Sequence, residues 1–136
     1  MNRIENSLKV EIGSYQTGNV LPLLHEISHA LSRLLDTGES TTIDLRGLPM
    51  APGEQERLID FLGKGEISVQ MDALGNSEII ETSFPGVWLI VHYNSNQEIM
   101  GKFIEITRMP AILETQAEDV EDALAALRVK LEEKPA

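Results

Sequence analysis

The pentapeptide His25-Glu26-Ile27-Ser28-His29 reads H-E-x-x-H. On a helix, that spacing sets two imidazoles one turn apart on a common face. In metalloproteases such a pair binds zinc, and the glutamate activates the metal's water. A zinc-dependent hydrolase working through His25, Glu26 and His29 is therefore one reading of the chain. The element that must carry the motif argues against it. Val20, Leu24, Ile27, Leu31 and Leu34 follow the i, i+4, i+7 rhythm of an amphipathic helix over residues 20–36, with Gly38 as its stop. With Val20 as zero and about 100° per residue, these five cluster within roughly 40° of zero. His25 and His29 then fall near ~140° and ~180°, on the side turned to solvent. Catalytic zinc needs a third protein ligand and a shaped cleft. The remaining histidine, His92, lies in an apolar strand segment, and no carboxylate stands out by its spacing. The expectation is an incidental polar-face pair with no bound metal.

Other chemistry finds less support. The chain has no cysteine, which removes disulfides, thiol catalysis and cysteine-ligated metal or iron–sulfur sites. The glycines of Gly63-Lys64-Gly65-Glu66 lack phosphate-loop spacing, and no serine sits in a G-x-S-x-G context. His92, between Val91 and Tyr93, reads as a hydrogen-bonded sheet histidine rather than a general base. The expectation is no enzyme and no cofactor.

Composition narrows the class further. A length of 136 residues fits one domain, residues 1–136, large enough for a self-sufficient core. The net charge of −11 opposes binding to phosphate backbones, so a nucleic-acid partner is not expected. Such acidity can steer a basic partner inward, or simply keep the protein soluble. No stretch approaches the eighteen or so apolar residues of a membrane span, and the N-terminus has no signal-peptide run. The expected location is the cytoplasm.

Leu8, Val10 and Ile12 alternate like a short strand before the first helix. The β-branched run T-T-I-D-L-R-G reads as a strand. Pro52 can open a second helix, apolar at Leu58, Ile59, Phe61 and Leu62 and closed by Gly63. Four strand segments follow in E-I-S-V-Q-M-D-A, S-E-I-I-E-T-S-F, P-G-V-W-L-I-V-H-Y and G-K-F-I-E-I-T, joined by short turns. The third is apolar at nearly every position, as suits a strand covered on both sides. A last helix follows Pro110, with capping-box spacing at Thr115 and Glu118 and a buried stripe expected at Val120, Leu124, Leu127 and Leu131. The class is α+β: a mainly antiparallel sheet, with a four-strand meander in the second half and about three helices packed on it.

Several of these segments resemble the C-terminal region of the HupH/HyaF family of hydrogenase expression/formation proteins. The similar stretches are T-I-D-L-R-G-L-P-M-A-P-G-E, Leu62-Gly63-Lys64-Gly65-Glu66, Ile79 to Trp88, and Ile104-Glu105-Ile106 with Pro110. The resemblance covers about residues 35–112 and leaves the H-E-x-x-H motif outside. Family members are often about twice this length; shorter HupJ-like relatives also occur. The resemblance implies a non-catalytic accessory role in [NiFe]-hydrogenase maturation. The implied partners are the iron–sulfur small-subunit precursor, before twin-arginine export, and possibly other maturation proteins. A self-assembling structural subunit without a client is a further alternative.

Within the matched region, Gly63 and Gly65 suit positive φ at a helix exit, and Pro85-Gly86 should redirect the chain between two strands. Trp88 has the area and N–H of either a core anchor or an interface anchor. Glu66, Glu81 and Glu105 stand in or beside strands, and Arg46 is a candidate ion-pair partner for one of them. If these acids share a face with the turn, then Glu66, Glu81, Pro85, Gly86, Trp88 and Glu105 form the candidate partner-contact surface.

Overall fold

The computed structural model describes residues 18–73 and 75–133. The strand expected around Leu8, Val10 and Ile12 lies outside them. Helix α1 spans Val20–Thr37 and is followed by strand β1, Thr41–Asp44, and a 3-10 turn, Leu45–Gly47. Helix α2 covers Glu54–Leu62. Strands β2 (Ser68–Asp72), β3 (Asn76–Glu81), β4 (Val87–Tyr93) and β5 (Ile99–Ile106) come next. A second 3-10 turn, Ala111–Leu113, leads into helix α3, Ala117–Glu133. The sheet has five strands in the order β1-β5-β4-β3-β2, and every pairing is antiparallel. The meander β2 to β5 and the α+β class agree with the sequence pattern, and β1 closes the far edge against β5.

Alternation along the strands explains the layering. Ile43, Ile104, Ile106, Val87 and Leu89 point to one face and meet α1 and α2. The buried stripe of α1 is Val20, Leu23, Ile27, Ala30 and Leu34, with Leu24 and Leu31 half-buried at its margin. It therefore lies slightly to one side of the stripe expected from leucine spacing, with Leu23 and fully buried Ala30 taking the places expected for Leu24 and Leu31. Helix α2 adds fully buried Leu58 and Leu62. The opposite face carries a smaller cluster of Ile79, Trp88 and Ile90, edged by Val69, Met71, Phe103 and Leu113. Strand β4 is thus buried on both sides, as its continuous apolar run requires.

The last helix departs from expectation. Every residue of α3 is exposed, including Val120, Leu124, Leu127 and Leu131, which were to form a buried stripe. The physical reason lies just upstream. The chain after β5 crosses the second sheet face with Pro110 buried and Leu113 against the Trp88 cluster, so the space over Trp88 is filled before α3 begins. The helix starts at Ala117, with the Gln116 carbonyl accepting from Asp119 and Val120 N–H groups, so Thr115 does not occupy the capping position.

The β3–β4 connection sets the path of the double-buried strand. Pro85 and Gly86 take the second and third places of a turn closed by Val87 N–H to Phe84 O, at 2.9 Å. Proline presets the second residue, and Gly86 has φ +96°, which asymmetric residues resist. A Cβ on Gly86 would lie 3.3 Å from Leu31 Cδ2 of α1. Buried Thr82 donates its hydroxyl to Val87 O at 2.8 Å, and Ser83 donates to Leu62 O. Phe84 stacks on Phe61 of α2 with ring centroids 6.1 Å apart. The turn is therefore tied to both helices. Gly86→Val should destabilise the protein by ~1–3 kcal/mol from backbone strain alone, with the Leu31 contact adding to it. Urea denaturation measures this; a midpoint equal to wild type would contradict the assigned turn geometry.

Candidate functional site

The α1 motif offers little chemistry. His25, Glu26 and His29 are all exposed, while Ile27 between them is buried. No group of three His, Cys, Asp or Glu side chains able to hold a metal occurs among the described residues. His92 is engaged elsewhere: its Nδ1 shares a 2.6 Å hydrogen bond with Ser77 Oγ, and its ring meets the edge of Phe103 at 5.8 Å. This is the sheet histidine its strand context predicts.

The second sheet face is more informative. Cross-strand register sets Glu81 of β3 opposite Trp88 of β4, Trp88 opposite Glu105 of β5, and Glu105 opposite Thr42 of β1. Side chains in register share a face, so the indole lies between two carboxylates in one transverse row. Trp88 is 4% exposed and donates its indole N–H to Thr107 O at 3.1 Å. The Thr107 N–H in turn donates to Gly86 O at 2.9 Å. Its burial and satisfied N–H make Trp88 a core anchor beneath this face. Removing it as Trp88→Ala should cost ~3–5 kcal/mol in urea denaturation, since the cavity would sit inside a packed cluster. A variant as stable as wild type would contradict that role.

Glu66 joins the row through the backbone. Its N–H donates to Glu81 Oε1 at 3.2 Å, and the neighbouring Gly65 N–H donates to Glu81 O at 2.8 Å. The Leu62-Gly63-Lys64-Gly65-Glu66 segment is thereby strapped along the end of β3. Gly63 has the expected positive φ of +69°. Gly65 does not: its requirement is closeness, because a Cβ there would lie 2.4 Å from Thr82 O. Pro85 is exposed at the tip of the turn, whereas Gly86 faces α1. The structure thus brings Glu66, Glu81, Trp88 and Glu105 together and leaves the Pro85-Gly86 turn at the strand ends. Arg46 does not join the acids. It donates instead to Ile99 O at 2.8 Å, which pins the first 3-10 turn to β5.

Beside this row runs an open groove of about 200 Å³ lined by Thr42, Ile90, His92, Phe103, Glu105 and Ile112. Thr42, Phe103 and Ile112 were not singled out in the sequence. Strand alternation places Phe103 and Glu105 on one face, but only the β1–β5 register adds Thr42, and only the path after Pro110 adds Ile112. Glu105 is half-buried here, and desolvation raises its pKa above the ordinary carboxylate value. Because the folded state holds this proton more tightly, the stability gained from it is full below the unfolded pKa. That stability is lost as pH rises through the raised folded pKa. Glu105→Gln should therefore raise the melting temperature at neutral pH and leave it nearly unchanged in acid below the ordinary carboxylate range. Thermal melts across pH test this; a Gln variant less stable at neutral pH would contradict it.

Residues 17–133 match the family model described as HupH hydrogenase expression protein, C-terminal conserved region. A solved structure, the hydrogenase expression protein HupH from Thiobacillus denitrificans, superposes with a TM-score of 0.82 at 44% identity, covering 86% of this chain and 98% of that one. The hydrogenase expression/formation protein HoxQ of Azotobacter vinelandii is 29% identical over 112 residues, covering 81% of this chain and 40% of its own length. HupH of Rhodobacter capsulatus is 33% identical over 95 residues, covering 70% of this chain and 34% of its own. The chain thus spans about 40% of the first of these curated relatives.

Proposed function

Since the chain belongs to the HupH hydrogenase expression protein family through its C-terminal conserved region, we propose that it assists hydrogenase maturation. In this reading it is a non-catalytic, chaperone-like accessory protein of a [NiFe]-hydrogenase. It acts as a single domain in the cytoplasm and binds the iron–sulfur small-subunit precursor before export. The observation that carries the reading is the family match across residues 17–133, together with the near-complete overlap with a solved protein bearing that name. No described helix is long and apolar enough to cross a membrane.

The second sheet face supplies the chemistry for such a client. A twin-arginine leader joins guanidinium groups to an apolar stretch. The groove offers the aromatic and aliphatic surfaces of Phe103, Ile90 and Ile112 beside the Glu105 carboxylate. A bound guanidinium would offset the desolvation of Glu105 and form a charge-assisted hydrogen bond. The net charge of −11 would speed the encounter with a basic segment. Glu66, Glu81 and the Pro85-Gly86 turn extend the proposed contact surface across the sheet at the same end of its strands.

The test is binding of purified protein to the small-subunit precursor by biolayer interferometry in a salt series. Association should slow as salt rises from low to physiological strength, where screening acts within about 8 Å. Glu105→Gln should stay folded and bind more weakly. A rate indifferent to salt, with undiminished binding by Glu105→Gln, would remove this face as the contact. No binding to any hydrogenase precursor would remove the function.

A further inference from the structure

Helix α3 carries an apolar stripe that nothing in the described structure covers. Val120, Leu124, Leu127 and Leu131 are 55%, 49%, 56% and 47% exposed. Their spacing of four, three and four residues, continued back to Ala117, is the a/d seam of a coiled coil rather than the broader stripe of a core-facing helix. Charge along the helix is uneven. Glu118, Asp119, Glu121 and Asp122 crowd the first half without a base, while Arg128 and Lys130 in the second half offset Glu132 and Glu133.

We propose that α3 pairs antiparallel with α3 of a second copy of this chain, making a homodimer. The orientation follows from the charges. A parallel, in-register pair would set the four acids of one helix beside the four of its partner, and like charges oppose association. An antiparallel pair centred between Leu124 and Leu127 stacks Leu124 on the partner's Leu127 and Val120 on the partner's Leu131. It also brings Glu121, at the flank of the seam, beside the partner's Arg128, and symmetry repeats this pair. Lys130 on the other flank comes near the partner's Asp119. At about 1.5 Å per residue the 17-residue helix is about 25 Å long, enough for these four seam layers. The seam leaves the sheet groove to the client, so this inference stands independently of the proposed function.

Sedimentation velocity over a wide concentration range tests the proposal. The wild type should sediment as a concentration-dependent dimer. Leu124→Glu with Leu127→Glu should be monomeric with an unchanged melting temperature in its dilute, monomeric form, because neither residue is buried among the described residues. Glu121→Lys and Arg128→Glu should each weaken the dimer by about threefold or more, and the double variant should regain most of the loss. A wild type that stays monomeric would overturn the proposal and assign the stripe to another segment of this chain or to the client. So would a dimer that survives the two Leu→Glu changes, or a loss of melting temperature in the dilute monomer. A charge-swapped double variant no better than the singles would overturn the antiparallel orientation.

Discussion

The two-sided burial of β4 is the constraint on which the other elements depend. Val87 and Leu89 face the helices, while Trp88 and Ile90 face the opposite cluster. A strand in that position has no solvated side, so each face needs its own cover. Helices α1 and α2 supply one. The second is supplied close to the strand itself, by the chain that leaves β5 and runs through Pro110 to Leu113. Thr107 links the two ends of this arrangement, with its N–H on Gly86 O and its carbonyl on the Trp88 indole. The turn before β4 and the exit after β5 are thus held by one residue.

Much of this was legible from the sequence because it rests on local rules. Alternation and turn chemistry located the four-strand meander, and Pro85-Gly86 marked the break before β4. What the sequence hid depends on distant packing. The a/d spacing of Val120, Leu124, Leu127 and Leu131 is the same whether the partner is the chain's own sheet or another helix, so periodicity alone pointed to a buried stripe that the fold leaves open. Arg46 looked available for an acidic partner, yet it satisfies the Ile99 carbonyl across the β1–β5 pair. Glu54 shows the converse. In sequence it is one more acid at a helix start, but it is fully buried and accepts the Ala51 N–H at 2.7 Å, closing the loop that begins α2. The candidate face was partly visible, since Glu81, Trp88 and Glu105 could be suspected of sharing a side. Their alignment in one transverse row required the register of three strands.

The distribution of polar groups differs between the surfaces. His25 and His29 sit on an exposed helix face where, among the described residues, no further metal-ligating side chain joins them. The groove beside Glu105 combines apolar walls and a partly desolvated carboxylate, and it is the surface we propose for a flexible basic–apolar segment. The exposed stripe of α3 has a different character: its surface is a narrow aliphatic seam flanked by both signs of charge, which favours a matching helix over an extended peptide.

The central functional claim is that the uncovered part of the second sheet face, not the histidine-bearing face of α1, meets the hydrogenase precursor. At 136 residues, the protein is open to backbone NMR titration with a synthetic twin-arginine leader peptide. The account predicts saturable shifts at Thr42, His92, Phe103, Glu105 and Ile112, with His25 and His29 unmoved. Shifts confined to α1 around His25 and His29, with the groove unchanged, would contradict it.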